Sequence, residues 1–268
     1  MARTIAETFR NLRRKGQKAL IPYVMGGDPD VARSEQIVRT LVAAGADIIE
    51  LGIPFSDPLA DGPAIQEAGQ RAIRKGVICE DLFKMVARLR KDISVPLVFM
   101  TYYNPVFHFG LAKFCNRCAK SGVSGLIVPD LPLEESLPLE KETRRTGLDL
   151  IYLATPTSPP ERVEKLAQHT RGFLYYVSRT GVTGARQSLP SDLVGNIRRI
   201  RKMTDIPIGV GFGIKDAKQA TKVAKVADAV IIGSAIVRIV EEYGESPELV
   251  PRLTEFARPI ADMLHSGL

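Results

Sequence analysis

Short apolar segments recur along the chain at residues 20–25, 47–53, 96–102, 125–128, 149–155, 173–178, 208–211 and 229–233. Most are near-continuous apolar runs, the pattern of parallel strands covered on both faces. Between them apolar positions return at helical spacing, for example over 31–44, 63–75, 82–91 and 217–227, and a last helical stretch runs over 247–263. Strand–helix alternation predicts βα units in a parallel sheet. Eight such units in about 215 residues favour a closed barrel over an open doubly wound sheet. Before the first strand, Ile5, Phe9 and Leu12 fall on one helical face with Arg10, Arg13 and Arg14 elsewhere. The expected architecture is therefore α/β: a single TIM (β/α)8 barrel with an extra N-terminal helix. No linker, charge block or low-complexity segment divides it, so residues 1–268 are expected to form one domain.

Composition narrows the function classes. The length of 268 residues suits an α/β barrel, and 45% hydrophobic with 25% charged residues is ordinary for a globular protein. No run of 18 apolar residues exists, so no membrane span is expected. The opening MARTIAETFRNLRRKG lacks an apolar h-region, so no secretory signal is expected. Cys79, Cys115 and Cys118 are too few and odd in number for a disulfide framework, which suits a reducing cytoplasm. Cys115 and Cys118 form C-x-x-C on a helical pattern with no second pair, so a structural role is expected and no metal site. The formal charge of +7 suits an anionic substrate, an acidic partner or simply a basic surface. The basic clusters at 10–18 and 198–202 lie on helical pattern without interleaved aromatics and read as solvated faces, not a nucleic-acid surface.

In a barrel the site forms at the C-terminal ends of the strands. Glu50 sits inside the apolar run DIIELGI, where a charged side chain costs free energy unless paired or used. Alternation puts Ile48, Glu50 and Gly52 on one face and Ile49, Leu51 and Ile53 on the other, so Glu50 points into the barrel mouth. Its carboxyl there is either a general acid/base with a raised pKa or half of an ion pair with a barrel lysine. Asp61 follows in the loop PFSDPLAD; Asp-Gly-Pro before a helical run equally describes a helix N-terminus. Gly211-Phe212-Gly213 and Gly233-Ser234 end the seventh and eighth strands, where barrels often bind phosphate through backbone N–H groups. The loop 179–191, RTGVTGARQSLPS, is either a lid or a passive connector. No G-x-G-x-x-G follows the first strand, and no Walker-type loop or strand lysine appears. His108, His169 and His265 have no nucleophile motif or metal spacing nearby.

Together the stretches PYVMGGDPD, GADIIELGIPFSDPLADGPAIQ, MTYYNPV, LIVPDLPLEE, YYVSRTGVTGAR, GVGFGIKD and ADAVIIGSAIV resemble the tryptophan synthase alpha subunit over nearly the whole chain. The resemblance implies retro-aldol cleavage of indole-3-glycerol phosphate to indole and glyceraldehyde 3-phosphate. It makes Glu50 the acid/base and Asp61 the group that holds the indole N–H, with Tyr175 beside the glutamate. It has Thr183 meeting Asp61 on lid closure, Gly184, Gly213, Gly233 and Ser234 taking the phosphate, and Phe212 near the indole. It places Ser56, Asp57 and Pro58 toward a beta subunit that carries pyridoxal phosphate, in an alpha2beta2 tetramer; the alpha chain itself would need no cofactor. Met25 departs from the threonine common in the family, which bears on packing at the barrel mouth. A stand-alone lyase, or a non-catalytic chain that only activates a beta subunit, are the other readings. An indole-3-glycerol phosphate synthase is disfavoured because that chemistry leans on a strand lysine.

Overall fold

A computed structural model describes residues 3–178, 192–211, 213–214 and 216–267. Nine parallel strands, β1 (Ala19–Met25), β2 (Ile49–Gly52), β3 (Leu97–Met100), β4 (Gly125–Ile127), β5 (Asp149–Ile151), β6 (Leu153–Ala154), β7 (Leu174–Val177), β8 (Ile208–Gly211) and β9 (Ala229–Ile232), run in the order β5-β4-β3-β2-β1-β9-β8-β7-β6. The expected fifth strand is thus divided at Tyr152. Its amide donates to the Thr170 hydroxyl (2.8 Å), while its carbonyl accepts from the Tyr175 amide (3.0 Å). β5 pairs with β4 and β6 with β7, so these two short pieces occupy one position in the wall and bring the sheet round into an eight-position barrel.

The helices α1 (Ile5–Arg14), α2 (Val31–Ala43), α3 (Pro63–Arg74), α4 (Cys79–Leu89), α5 (Tyr103–Phe109) and α6 (Leu111–Ser121) belong to the first half. The second half carries α7 (Leu137–Thr146), α8 (Pro160–His169), α9 (Leu193–Arg201), α10 (Ala217–Ala224), α11 (Ser234–Tyr243) and α12 (Leu249–His265). Local chemistry sets several starts. Thr4 and Glu7 form a capping box on α1, Asp30 accepts from the Arg33 amide (2.8 Å) at α2, and Asp216 accepts from the Gln219 amide (2.8 Å) at α10. α4 begins three residues before the expected 82, because Asp81 turns back to accept from the Ile78 amide (3.1 Å). The short α5 was hidden in the sequence by Pro105 within the stretch MTYYNPV.

Strand alternation divides the core in two. Ile49, Leu51, Leu97, Phe99, Leu150, Val210 and Val230 face outward onto Ile37, Leu41, Leu253 and their neighbours on the helices. Ile21, Ile48, Val98, Ile127, Ile151 and Ile231 face inward. Ile5, Phe9 and Leu12 of α1 join that inner cluster, with the Phe9 and Phe173 rings 5.8 Å apart, so the extra helix closes the barrel at the strands' N-terminal end. Cys115 and Cys118 are buried in the outer layer as free thiols that burial pushes well above the ordinary range, a packing role. No helix among the described residues is long and apolar enough to cross a membrane.

Candidate active site

With the lower end plugged, polar groups collect at the opposite mouth. Glu50 is the Cα partner of Tyr23 on β1 and of Val98 on β3, and its side chain enters the barrel as alternation requires. It is 1% exposed, and neither carboxyl oxygen has a hydrogen-bond partner among the described residues. The alternative of an ion pair with a barrel lysine is therefore not realised among those residues. Burial first, and the nearby Asp61 second, raise its pKa to about 8.

Asp61 reaches the same space from the loop after β2. That loop is folded by its own backbone, with the Asp61 amide donating to the Pro58 carbonyl (3.0 Å) and Gln66 Nε2 donating to the Asp61 carbonyl (2.9 Å). The helix-cap reading of Asp61 fails: α3 is capped by Gly62 with no side-chain hydrogen bond, and Pro63 supplies the N1 position. The carboxylate is instead 9% exposed and beside Tyr102, whose hydroxyl also accepts from the Ala60 amide (3.0 Å). Burial raises the Asp61 pKa to about 6, with Tyr102 hydrogen bonding opposing the rise. The pair is accordingly unequal, with Glu50 the more readily protonated of the two, an inequality that suits an acid working beside an anion.

The glycines of GVGFG have separate duties. A Cβ at Gly209 would press on the Phe173 ring (3.0 Å) and on Ile231 (3.1 Å), and one at Gly211 on Tyr175. Both make room for inward aromatic rings, which gives these two glycines a packing role. Gly213 has φ +81°, a left-handed conformation that leaves its backbone open at the mouth. Across from it, Gly233 caps α11 with no side-chain hydrogen bond among the described residues, and Ser234 lines the cavity.

Glu50, Asp61, Tyr175, Gly213, Gly233 and Ser234 thus line one cavity at the barrel mouth. Ile65, Met100 and Ile231 give it an apolar wall, and Tyr23 adds a second phenol. Tyr23, Tyr102 and this wall were not assigned from sequence. Tyr23 shares strand parity with Ile21 and could have been placed inward, whereas the approach of Tyr102 to Asp61 crosses between two loops and leaves no local signal. Ser56 and Asp57 are exposed and Pro58 half-buried, outside the cavity, next to Leu59 at 87% exposure. Thr183, Gly184 and Phe212, with the loop 179–191, lie outside the described residues.

The model of the tryptophan synthase alpha chain family matches residues 9–265. A tryptophan synthase alpha chain of Methanosarcina acetivorans is 52% identical over 241 residues, covering 89% of this chain and 86% of its own. That of Citrifermentans bemidjiense is 46% identical over 263 residues, 98% of each chain. Among solved structures, a chain of Mycobacterium tuberculosis tryptophan synthase superposes with a TM-score of 0.89 at 37% identity, covering 99% of both chains. The alpha subunit of Legionella pneumophila tryptophan synthase gives 0.88 at 33% identity, covering 98% of both. A barrel matched along most of its length by these relatives belongs to the tryptophan synthase alpha chain family: a lyase that cleaves indole-3-glycerol phosphate to indole and D-glyceraldehyde 3-phosphate and works with a beta-subunit partner.

Proposed function

We propose that Glu50, Asp61 and Tyr175 carry the cleavage, with Gly213, Gly233 and Ser234 holding the substrate phosphate. The observation that carries this reading is the Glu50 carboxyl, wholly buried yet without a partner among the described residues. Such a group is destabilising unless a ligand completes it.

The chemistry follows from the two protonation states. The protonated Glu50 gives its proton to indole C3, which makes the ring an electron sink. Asp61, ionised, accepts a hydrogen bond from the indole N–H and stabilises the positive charge that builds on the ring. The C3–C1′ bond then breaks, its electron pair returns to the indole, and the C1′ hydroxyl becomes the aldehyde of glyceraldehyde 3-phosphate. The hydroxyl proton passes to the Glu50 carboxylate, which restores the starting state. Tyr175 packs beside the glutamate, and Ile65, Met100 and Ile231 give the indole an apolar bed. The uncapped amides of α11 suit a phosphate dianion.

On the same reading Thr183 meets Asp61 on loop closure, Gly184 adds to the phosphate contacts and Phe212 flanks the indole. Ser56, Asp57 and Pro58 face the beta subunit, and the bare Leu59 beside them is the apolar contact that such a docking loop needs. The working assembly is an alpha2beta2 tetramer in which pyridoxal phosphate belongs to the beta chain. Residues 1–268 act as one domain, in the cytoplasm, where three free thiols are at home.

The test is release of glyceraldehyde 3-phosphate from indole-3-glycerol phosphate by wild type and Glu50→Gln, each with and without a beta subunit. Low activity that rises with beta and vanishes in the variant supports the assignment. Turnover by Glu50→Gln near the wild-type rate would sink it.

A further inference from the structure

Tyr23 stands between the two ends of the site. Its strand pairs on one side with β2, where Glu50 is its Cα partner. On the other side it pairs with β9, which leads to Gly233, where an added Cβ would come within 3.5 Å of Tyr23 Cβ. A ligand reaching from Glu50 to a phosphate at Gly233 and Ser234 therefore passes over Tyr23.

The ring leans over Gly52, two residues beyond Glu50 on the same face. A Cβ there would stand 2.7 Å from Tyr23 Cζ and 3.1 Å from Cε2, so only glycine leaves this room. The side chain lines the cavity and is 5% exposed. Its hydroxyl has one hydrogen-bond partner among the described residues, the thioether of Met25 at 3.9 Å. Thioether sulfur is a weak acceptor, and a buried phenol ordinarily finds a better one.

We infer that the Tyr23 hydroxyl positions the substrate by donating a hydrogen bond to a hydroxyl of its glycerol chain, exchanging the Met25 sulfur for an oxygen. The inference rests on the proposed placement of the reacting bond at Glu50 and of the phosphate at Gly233 and Ser234. Burial, with Asp61 and Glu50 close by, holds the phenol pKa well above its ordinary range, so the group remains a donor at neutral pH. Tyr23 touches no bond that breaks. Its hydroxyl selects ligands that carry oxygen between indole and phosphate, and adds nothing for those with a plain alkyl spacer.

The experiment compares Tyr23 with Tyr23→Phe in a Glu50→Gln background, so that substrate is bound and not consumed. Dissociation constants are measured for indole-3-glycerol phosphate and for 3-(indol-3-yl)propyl phosphate, which keeps the indole and phosphate but lacks both hydroxyls. The expected result is about five- to tenfold weaker binding of the first and less than about twofold change for the second, the size of one neutral hydrogen bond. Equal weakening of both ligands, no change in either, or a lowered melting temperature as the main effect of Tyr23→Phe would each overturn the inference. Product formation in the Glu50→Gln background would instead count against the Glu50 assignment, so the two failures are distinct.

Discussion

Tyr175 fills the space that any side chain at Gly211 would take. A Cβ built at Gly211 would lie 2.5 Å from the Tyr175 hydroxyl oxygen and 2.9 Å from the ring. Gly211→Ala is expected to push the ring toward the cavity, with a stability loss of about 1–3 kcal/mol from overpacking. It should also raise KM, because the displaced ring enters the substrate's volume. Thermal melting and steady-state kinetics on the one variant check both effects. An unchanged KM would mean that the ring can withdraw without entering the site.

The unequal carboxyl pair predicts a bell-shaped dependence of kcat/KM on pH. The proposed mechanism uses Asp61 ionised and Glu50 protonated, so the acid limb should fall near 6, the alkaline limb near 8 and the maximum between them. The apparent values belong to the coupled pair. In Asp61→Asn the repelling charge is gone, so the Glu50 pKa should drop below about 8. Carboxyl-selective NMR titration of that variant would read the change directly.

Tyr102→Phe removes the hydrogen bonding that opposes the rise of the Asp61 pKa. The Asp61 value should move above about 6, carrying the acid limb toward neutrality. The Ala60 amide also loses its acceptor, so the loop is expected to lose about 1 kcal/mol of local stability. A pH–rate profile displaced on its acid side alone is the signature sought.

Glu50 makes the fold weaker as pH rises. Its folded pKa of about 8 lies above the ordinary glutamate value of 4.5, so between these limits the folded state holds the extra proton and stability falls as pH rises. Protonated below 4.5 it costs little, and above 8 the cost is complete. Glu50→Gln should therefore melt increasingly above wild type from pH 5 to pH 9, with a gain on the order of 3–5 kcal/mol at the upper end. Parallel melting curves across that range would contradict the burial argument.

Leu59 is the most exposed large apolar side chain among the described residues, on the same loop as Asp61 but outside the cavity. Leu59→Asp should leave the basal cleavage rate within about twofold and weaken the response to added beta subunit by about tenfold or more in the concentration required. Titrating beta against a fixed amount of the variant measures this.

The alternation of strands and helices, the inward face of β2 and the presence of helix α1 were legible in the chain. Each depends on an apolar period that a few neighbouring residues display. The break at Tyr152 was not legible, because 149–155 reads as one apolar run and the interruption depends on Thr170 taking the Tyr152 amide. Asp61 was ambiguous for a similar reason. Its local sequence suits a helix cap, and only the distant Tyr102 and the absence of a capping bond on α3 separate the two roles.

Sequence by itself therefore determined the barrel, the carboxyl at the end of its second strand and the glycines after the last two, since periodicity and backbone permissiveness are properties of short segments. Tertiary structure alone decided how burial raises the pKa of that carboxyl, the steric room that Gly209 and Gly211 leave, and the approach of Tyr102 to Asp61. Desolvation, Coulomb repulsion and steric room depend on distances between strands, and such distances exist only once the sheet has closed.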